Sequence, residues 1–416
     1  MATEGLLQGQ ITDESLDLMR KRIGYPSNVV RHGYLESPHN VIATQDAFRR
    51  FATYNGDDNP LFNDPDYPAK TRWGAPIAPL KFEMSMGVLR HPTISDELER
   101  ETRGALRGVQ LFHSGAENFY YAPIREGAKL YHSKWVAGVE DKVSKFAGRS
   151  AIVSNGMSYW DEDDRVYVDG TNWFVHAERK KASDEPKSDA EKKPRDEPAF
   201  YTDEQLAEVE QAYENEYRRG ADTLYIEDVK VGDRLPRMVK GPLTITDLIN
   251  SHMGGGWFGY GNPPYRLAHE NRKKLRGFYT KNEFNAWDTL QRVHWDMELA
   301  REVGVPATYD IGPMRAAMLG HYCNNYAGDD AWVYRMRYEF RSFNYMGDVT
   351  WIDGVITDVR VDDVLGPLIE VDLKGVNQRG KENIRGNATI LVASRKTGLA
   401  ALPPPGKPTP YRRSRV

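Results

Sequence analysis

Glu117–Gly127 reads ENFYYAPIREG and runs on into AKLYHSKWVAGVED; Tyr338–Asp348 reads YEFRSFNYMGD and runs on into VTWIDGVITDVRVD. Each is an aromatic-rich run that turns at a glycine and then alternates apolar with polar residues. Each half of the chain then reaches a last such run after a glycine, Gly170-TNWFVHAERK and Gly386-NATILVASRK. Alternation with a period of two puts successive side chains on opposite faces, so these runs read as antiparallel strands with one buried face. The chain therefore holds the same strand-rich unit twice.

The units also share helical segments upstream of their strands. Thr44-QDAFRRFATY offers an N-cap and places Ala47, Phe48, Phe51 and Ala52 at helical spacing, and Thr246-DLINSHM is its counterpart. The segment beginning at Asp64 matches the one beginning at Asp296 at a constant offset of 232. The offset between Asp46 and Asp247 is only 201, so the second unit carries an insertion of about 31 residues within Gly254–Thr289. This α+β pattern predicts, in each half, a long central helix wrapped by a curved antiparallel sheet.

Residues 1–177 form the first expected domain and residues 201–416 the second, with a linker at 178–200. Glu178–Glu197, ERKKASDEPKSDAEKKPRDE, holds seven basic and seven acidic residues and no aliphatic side chain larger than Ala. Such a segment cannot bury enough apolar surface to offset its ordering entropy. After it, Thr202 and Gln205 have the spacing of a capping box.

With 416 residues the chain can bury sizeable cores without staples. Its 56 Lys and Arg nearly balance 60 Asp and Glu, which argues against a nucleic-acid or anionic-membrane footprint. The single cysteine, Cys323, excludes an intramolecular disulfide and Cys-rich metal sites and fits a reducing compartment. The first residues lack the pattern of a secretory signal, and no apolar run is long enough to span a bilayer. A cytoplasmic protein is expected.

Three stretches carry chemistry: Tyr54–Ala69, YNGDDNPLFNDPDYPA; Val293–Ala300 with Tyr309–Tyr322, VHWDMELA and YDIGPMRAAMLGHY; and Asp372–Arg395. Together they resemble the MaoC-like dehydratase family, which includes R-specific enoyl-CoA hydratases and tandem double hot-dog proteins. The family's G-D-x-N-P-L-H-x-D signature is matched by Gly56–Leu61, and Tyr225–Pro236 resembles the opening of a second hot-dog. The resemblance covers the chain outside the linker, the insertion and the tails. It implies a double hot-dog fold and addition or removal of water at a 2-enoyl/3-hydroxyacyl-CoA thioester. No metal or redox cofactor is implied; coenzyme A enters with the substrate.

That reaction needs a base to activate water at Cβ, an acid for Cα, and donors for the enolate charge on the thioester oxygen. Carried over by position, the family's residues are split between the halves. In the first half Asp57 stands at the carboxylate position, Phe62 at the histidine position and Leu80 at the glycine position. This pocket is expected to hold an acyl chain, with Asp57 beside it; a turn whose acidic side chain bonds local N–H groups is the other reading. In the second half His294 takes the histidine position, Asp296 the second acidic position and Gly312 the helix-opening glycine, followed by Pro313 at N1. Thr289 occupies the carboxylate position, so Asp288 is the nearest candidate partner, and Ile311 replaces the family's helix-opening histidine.

The expected catalytic set is thus His294, Asp288 and Gly312. A capping role for His294 and for Asp288 is the alternative. His252 is a candidate for the same pocket, whereas His269, His321 and Cys323 read as structural. Gly254-GGWFGYG261 lacks the spacing of a nucleotide loop. The insertion is rich in aromatic and basic residues, so it reads as a lid or as an oligomer contact. As a lid it offers Trp257, Phe258, Tyr260 and Arg266 to the substrate. The expected assembly is a homo-oligomer of double hot-dogs or a hetero-oligomer. A hot-dog thioesterase and a non-catalytic thioester-binding subunit are the competing functions.

Overall fold

The computed structural model describes residues 9–26, 40–90, 94–144, 148–178, 199–256 and 264–407. The expected linker falls almost entirely outside them. The strands of the first half are β1 (Val88–Leu89), β2 (Gln110–Tyr120), β3 (Tyr131–Ser144), β4 (Gly148–Trp160) and β5 (Val166–Ala177). Those of the second are β6 (Arg234–Lys240), β7 (Tyr279–Lys281), β8 (Trp287–Thr289), β9 (Trp332–Phe340), β10 (Thr350–Asp362), β11 (Gly366–Asn377) and β12 (Glu382–Leu391). Ten of them form one sheet, in the order β1-β3-β4-β5-β2-β9-β12-β11-β10-β6, and β7 and β8 form a separate hairpin.

The two halves meet where β2 pairs antiparallel with β9, setting Ala116 opposite Tyr338 and Asn118 opposite Met336. Arg335 donates to the Glu117 carboxylate at 2.6 Å across this seam. The repeated glycines belong to the same place. Gly170 lies opposite Asn118 on β5 and Gly386 opposite Tyr338 on β12. A Cβ on either would come within 2.1 Å of the Glu117 carbonyl or 2.4 Å of the Arg337 carbonyl. The recurring glycine is therefore a space requirement of the central strands.

The helix Gly312–Ala327 is buried on nearly all sides; only Gly312, Pro313 and Asn324 of its 16 residues are not. A helix with apolar contacts all round shows no amphipathic stripe, so its sequence pattern alone does not reveal which face meets which layer. The main core joins its Met314, Leu319 and Tyr322 to Phe48 and Phe82 of the first half and to Met336 and Ile384 of the second.

The expectation of a second long central helix is not met. At the offset of 232, residues 80–95 correspond to this helix, but the chain there forms a 3-10 turn, Phe82–Ser85, and then the short strand β1. Lys81 takes a left-handed backbone, φ 76°, immediately before the turn, and Gly87 has φ 106°. Left-handed residues at both ends of so short an apolar run leave no room for continued i→i−4 bonding. A single helix thus lies where two were expected.

Helices Gln45–Tyr54 and Ile245–Gly255 pack on each other, capped by Thr44 and Thr244 respectively. Thr244, with Asp247 completing a capping box, opens the second helix two residues before the expected start. Thr202 and Gln205 form the capping box read from the sequence. The glycine run now has a role: a Cβ on Gly254 would lie 1.7 Å from Tyr54 Cδ2. Gly254→Ala is expected to cost about 1–3 kcal/mol by overpacking. Urea denaturation should register this as a lowered midpoint, and adding Tyr54→Ala should restore part of it, because contacting positions are non-additive. An unchanged midpoint in the single variant would refute this helix contact.

Candidate active site

The opening of the central helix gathers the polar groups of the second half. Asp310 precedes the helix and pairs with Arg315 of its first turns, Nε to Oδ2 2.9 Å, with both side chains buried. Asn344 donates to the same oxygen at 3.1 Å, and the Arg315 guanidinium stacks 4.0 Å over Phe340. Burial pushes the Asp310 carboxyl up to about 6, with Arg315 pulling against it.

His294 ends the 3-10 turn Leu290–His294, which Thr289 caps. Its Nδ1 lies 2.9 Å from the Tyr309 carbonyl, and its ring sits edge-on to the Tyr309 ring at 4.6 Å. A carbonyl only accepts, so Nδ1 carries the proton and Nε2 is the basic nitrogen. Burial drives the imidazole pKa down to about 4, so it is neutral at ordinary pH. His252, which is 1% exposed, is also pushed to about 4, by burial first and by the charge of His294 second. His252 lies edge-on to Trp295, the residue after His294, at 6.0 Å, and Gly312 follows Tyr309 by three residues.

Asp288 is placed differently. Its Oδ1 accepts from the Thr289 N–H at 2.7 Å, and it makes no ion pair with His294 among the described residues. Asp296 caps the helix Met297–Glu302 and pairs with Arg292 at 2.9 Å. Gly312 is covered: a Cβ there would be 2.3 Å from His113 Nδ1. His113 Nε2 faces the Gly115 carbonyl at 3.1 Å, so Nδ1 presents a lone pair to the helix start. Nothing in the strand pattern singled out His113. Trp257, Phe258 and Tyr260 lie outside the described residues, and Arg266 is exposed on the helix Tyr265–Lys274.

In the first half the signature folds as an Asx-type turn. Asp57 Oδ1 accepts from the Asn59 N–H at 3.0 Å, and the Asn63 amide donates to the Asp57 carbonyl at 2.9 Å. Asp57 is only 3% exposed, and besides these local contacts it meets groups of the other half. His321 Nε2, on the central helix, is 3.5 Å from Asp57 Oδ1 and 3.2 Å from Glu216 Oε1. Lys240 Nζ lies 2.8 Å from His321 Nδ1 and donates to the Asn55 carbonyl at 3.3 Å. The ammonium must be the donor to Nδ1, so Nε2–H faces the carboxylates. Lys240 supplies the positive charge that the two carboxylates need, and no group of metal ligands is arranged here or elsewhere among the described residues. Asp57 thus meets an imidazole across the halves and away from solvent, but that imidazole is His321 and not the histidine of the signature.

A cavity of about 60 Å³ lies beside this turn, lined by Asn59, Phe62, Trp73, Leu80, Lys81, Glu83, Tyr120, Asn324 and Trp332 among others. Phe62 and Leu80, at the positions of the family's histidine and glycine, give it an apolar wall. Cys323 is buried and its thiol is pushed up to about 12, which removes it as a nucleophile.

Residues 32–169 match the family model described as the FAS1-like, dehydratase domain region. No curated protein matches the chain. Among solved structures, a MaoC-like dehydratase is similar at a TM-score of 0.56 and 15% identity, over 89% of this chain and 98% of its own. A MaoC-domain dehydratase from Chloroflexus aurantiacus J-10-fl is similar at a TM-score of 0.51 and 10% identity, over 86% of this chain and 93% of its own. By fold the chain stands with the MaoC-like, hot-dog dehydratases.

Two stability measurements check these placements. Lys240→Met leaves buried Asp57 and half-buried Glu216 without their cation and should cost about 3–5 kcal/mol in denaturant titration; a loss below 1 kcal/mol would mean that the cluster is hydrated. His294, half-buried and desolvated, has a pKa below the ordinary 6.5. Its contribution is therefore complete above about 6.5 and is lost as pH falls towards 4, as it is for His252, while Asp310, raised to about 6, loses its contribution as pH rises. His294→Gln should flatten the fall in stability between pH 6.5 and 4 by up to about 1.4 kcal/mol per pH unit. An unchanged slope would place the ring in solvent.

Proposed function

We propose that this chain, with the fold of the MaoC-like dehydratases and a dehydratase-region match in its first half, is a tandem double hot-dog enzyme. It adds or removes water across Cα–Cβ of a 2-enoyl/3-hydroxyacyl-CoA thioester. The observation that supports this most is His294: a neutral, half-buried imidazole whose Nδ1–H is fixed by the Tyr309 carbonyl at the mouth of the central helix.

In hydration, Nε2 of His294 takes a proton from water as its oxygen bonds to Cβ. The thioester becomes an enolate, and the imidazolium returns that proton to Cα, so one water is added and the imidazole is regenerated. One ring thus serves as base and then acid, which suits a site where Asp288 is engaged with backbone. Enolate charge develops on the thioester oxygen. The positive end of the Gly312–Ala327 helix stabilises it once the His113 lone pair is displaced from Gly312. Arg266 and its neighbours Lys274 and Arg276 are exposed cations available to the nucleotide phosphates of coenzyme A.

Purified protein offered a panel of trans-2-enoyl-CoA esters should hydrate at least one of them. His294→Ala should lower kcat about 10²–10⁴-fold, the range of a general acid–base group. The acid limb of the wild-type profile should fall near pH 4 to 5, below the ordinary imidazole range, because protonation of His294 is what stops the reaction. Hydration that survives His294→Ala would overturn the site. Thiol release without hydration would make the chain a thioesterase, and silence with every ester would make it a binding subunit.

A further inference from the structure

The cavity of the first half contains polar groups that an apolar tail would not satisfy. Lys81 and Glu83 form an ion pair at 3.2 Å, each 2% exposed, and both line it. Lys81 also donates to Asn118 Oδ1 at 2.8 Å. Burial alone would lower the Lys81 pKa, but Tyr338 and Glu83 outweigh it, so the ammonium stays charged. Tyr120, 4% exposed, lines the same cavity, and among the described residues its hydroxyl has no hydrogen-bond partner; Glu83 Oε1 faces the Lys81 ammonium alone. The Glu83 carboxylate is close enough to help burial raise the Tyr120 pKa.

The lining thus holds an unpartnered donor, Tyr120, and a carboxylate oxygen that faces only the Lys81 ammonium and can accept once more; Asn59, Asn324 and Asp329 add polar groups, and Leu61, Phe62, Trp73, Ile77 and Trp332 are apolar. The ion pair is self-neutralised, so a charged ligand gains little there. Buried polar groups without partners are costly, and a ligand that satisfies both is selected over one that satisfies neither. A carbonyl only accepts and an ammonium only donates; a hydroxyl does both.

We infer that this cavity binds the hydroxyl group of a neutral alcohol or phenol carried on an apolar body, with Tyr120 donating to it and Glu83 accepting from it. The cavity lining includes none of His294, Asp288 and Gly312. The binding therefore holds whatever reaction the chain catalyses. If that reaction is the one proposed above, the preferred acyl chain carries a hydroxyl far from its thioester.

Phenol and toluene differ only by hydroxyl against methyl and make the direct test on the full chain by titration calorimetry. Phenol should bind about tenfold or more tightly than toluene, the preference of a site with an unpaired buried donor and a carboxylate able to accept once more. Tyr120→Phe removes one oxygen without changing shape and should erase most of that preference while leaving toluene unaffected. Ala122→Leu, which fills the lining, should weaken both ligands. Equal affinity for the two, a preference that survives Tyr120→Phe, or binding of neither would overturn the assignment. None of these outcomes depends on turnover of a thioester.

Discussion

One buried helix, Gly312–Ala327, is the constraint on which both halves depend. Its Ala317 carbonyl accepts from the Asn55 amide at 2.8 Å, its Gly320 has Leu80 for a neighbour, and its His321 meets Asp57. Each of these partners belongs to the first half, which has no helix of its own in that position. The helix also lies against β6 and β9 of the second half. A segment enclosed in this way has no solvent face on which substitutions are free. It also fits the pairing of the one arginine on it: Arg315 meets the Asp310 carboxylate, because an unpaired charge at that depth would be costly.

Much of the strand framework was legible because a buried strand face writes itself into the sequence with a period of two. The glycines within β12 and β5 were legible as repeats, and the β2–β9 seam supplies their reason. The helix in the first half was misread because LKFEMSMGVL has the apolar content of a core helix. What decides its conformation is the left-handed backbone at Lys81 and Gly87, and a lysine in that conformation leaves no pattern. The Gly254–Gly256 run was read as loop, although Gly254 serves a helix contact with Tyr54, 200 residues earlier in the chain.

Site residues divide in the same way. His294 and Gly312 were readable because local segments, a 3-10 turn and a helix start, carry them. The Asp57–His321 contact joins residues in different halves, and no local spacing encodes it. Lys81 and Glu83 did leave a trace, two opposite charges within an otherwise apolar run, the mark of a pair that is buried together. His113 left none, since a single polar residue on a strand is equally compatible with either face.

The loss of the first helix and the presence of the cavity have one physical cause. In the first half, residues 80–89 run as a short turn and strand, so less volume is filled between the sheet and the Asp57 turn than a sixteen-residue helix would fill. Phe62, Trp73 and Trp332 close part of the gap, and the Lys81–Glu83 pair stands at its edge. Hydrophobic side chains of similar volume would have stabilised the fold as well or better than a buried ion pair does. Its place in the cavity lining is what the inferred recognition of a hydroxyl group would use. A duplicated fold can thus assign its two halves unequal work: one keeps the helix and the imidazole at its mouth, the other gives up its helix and gains space.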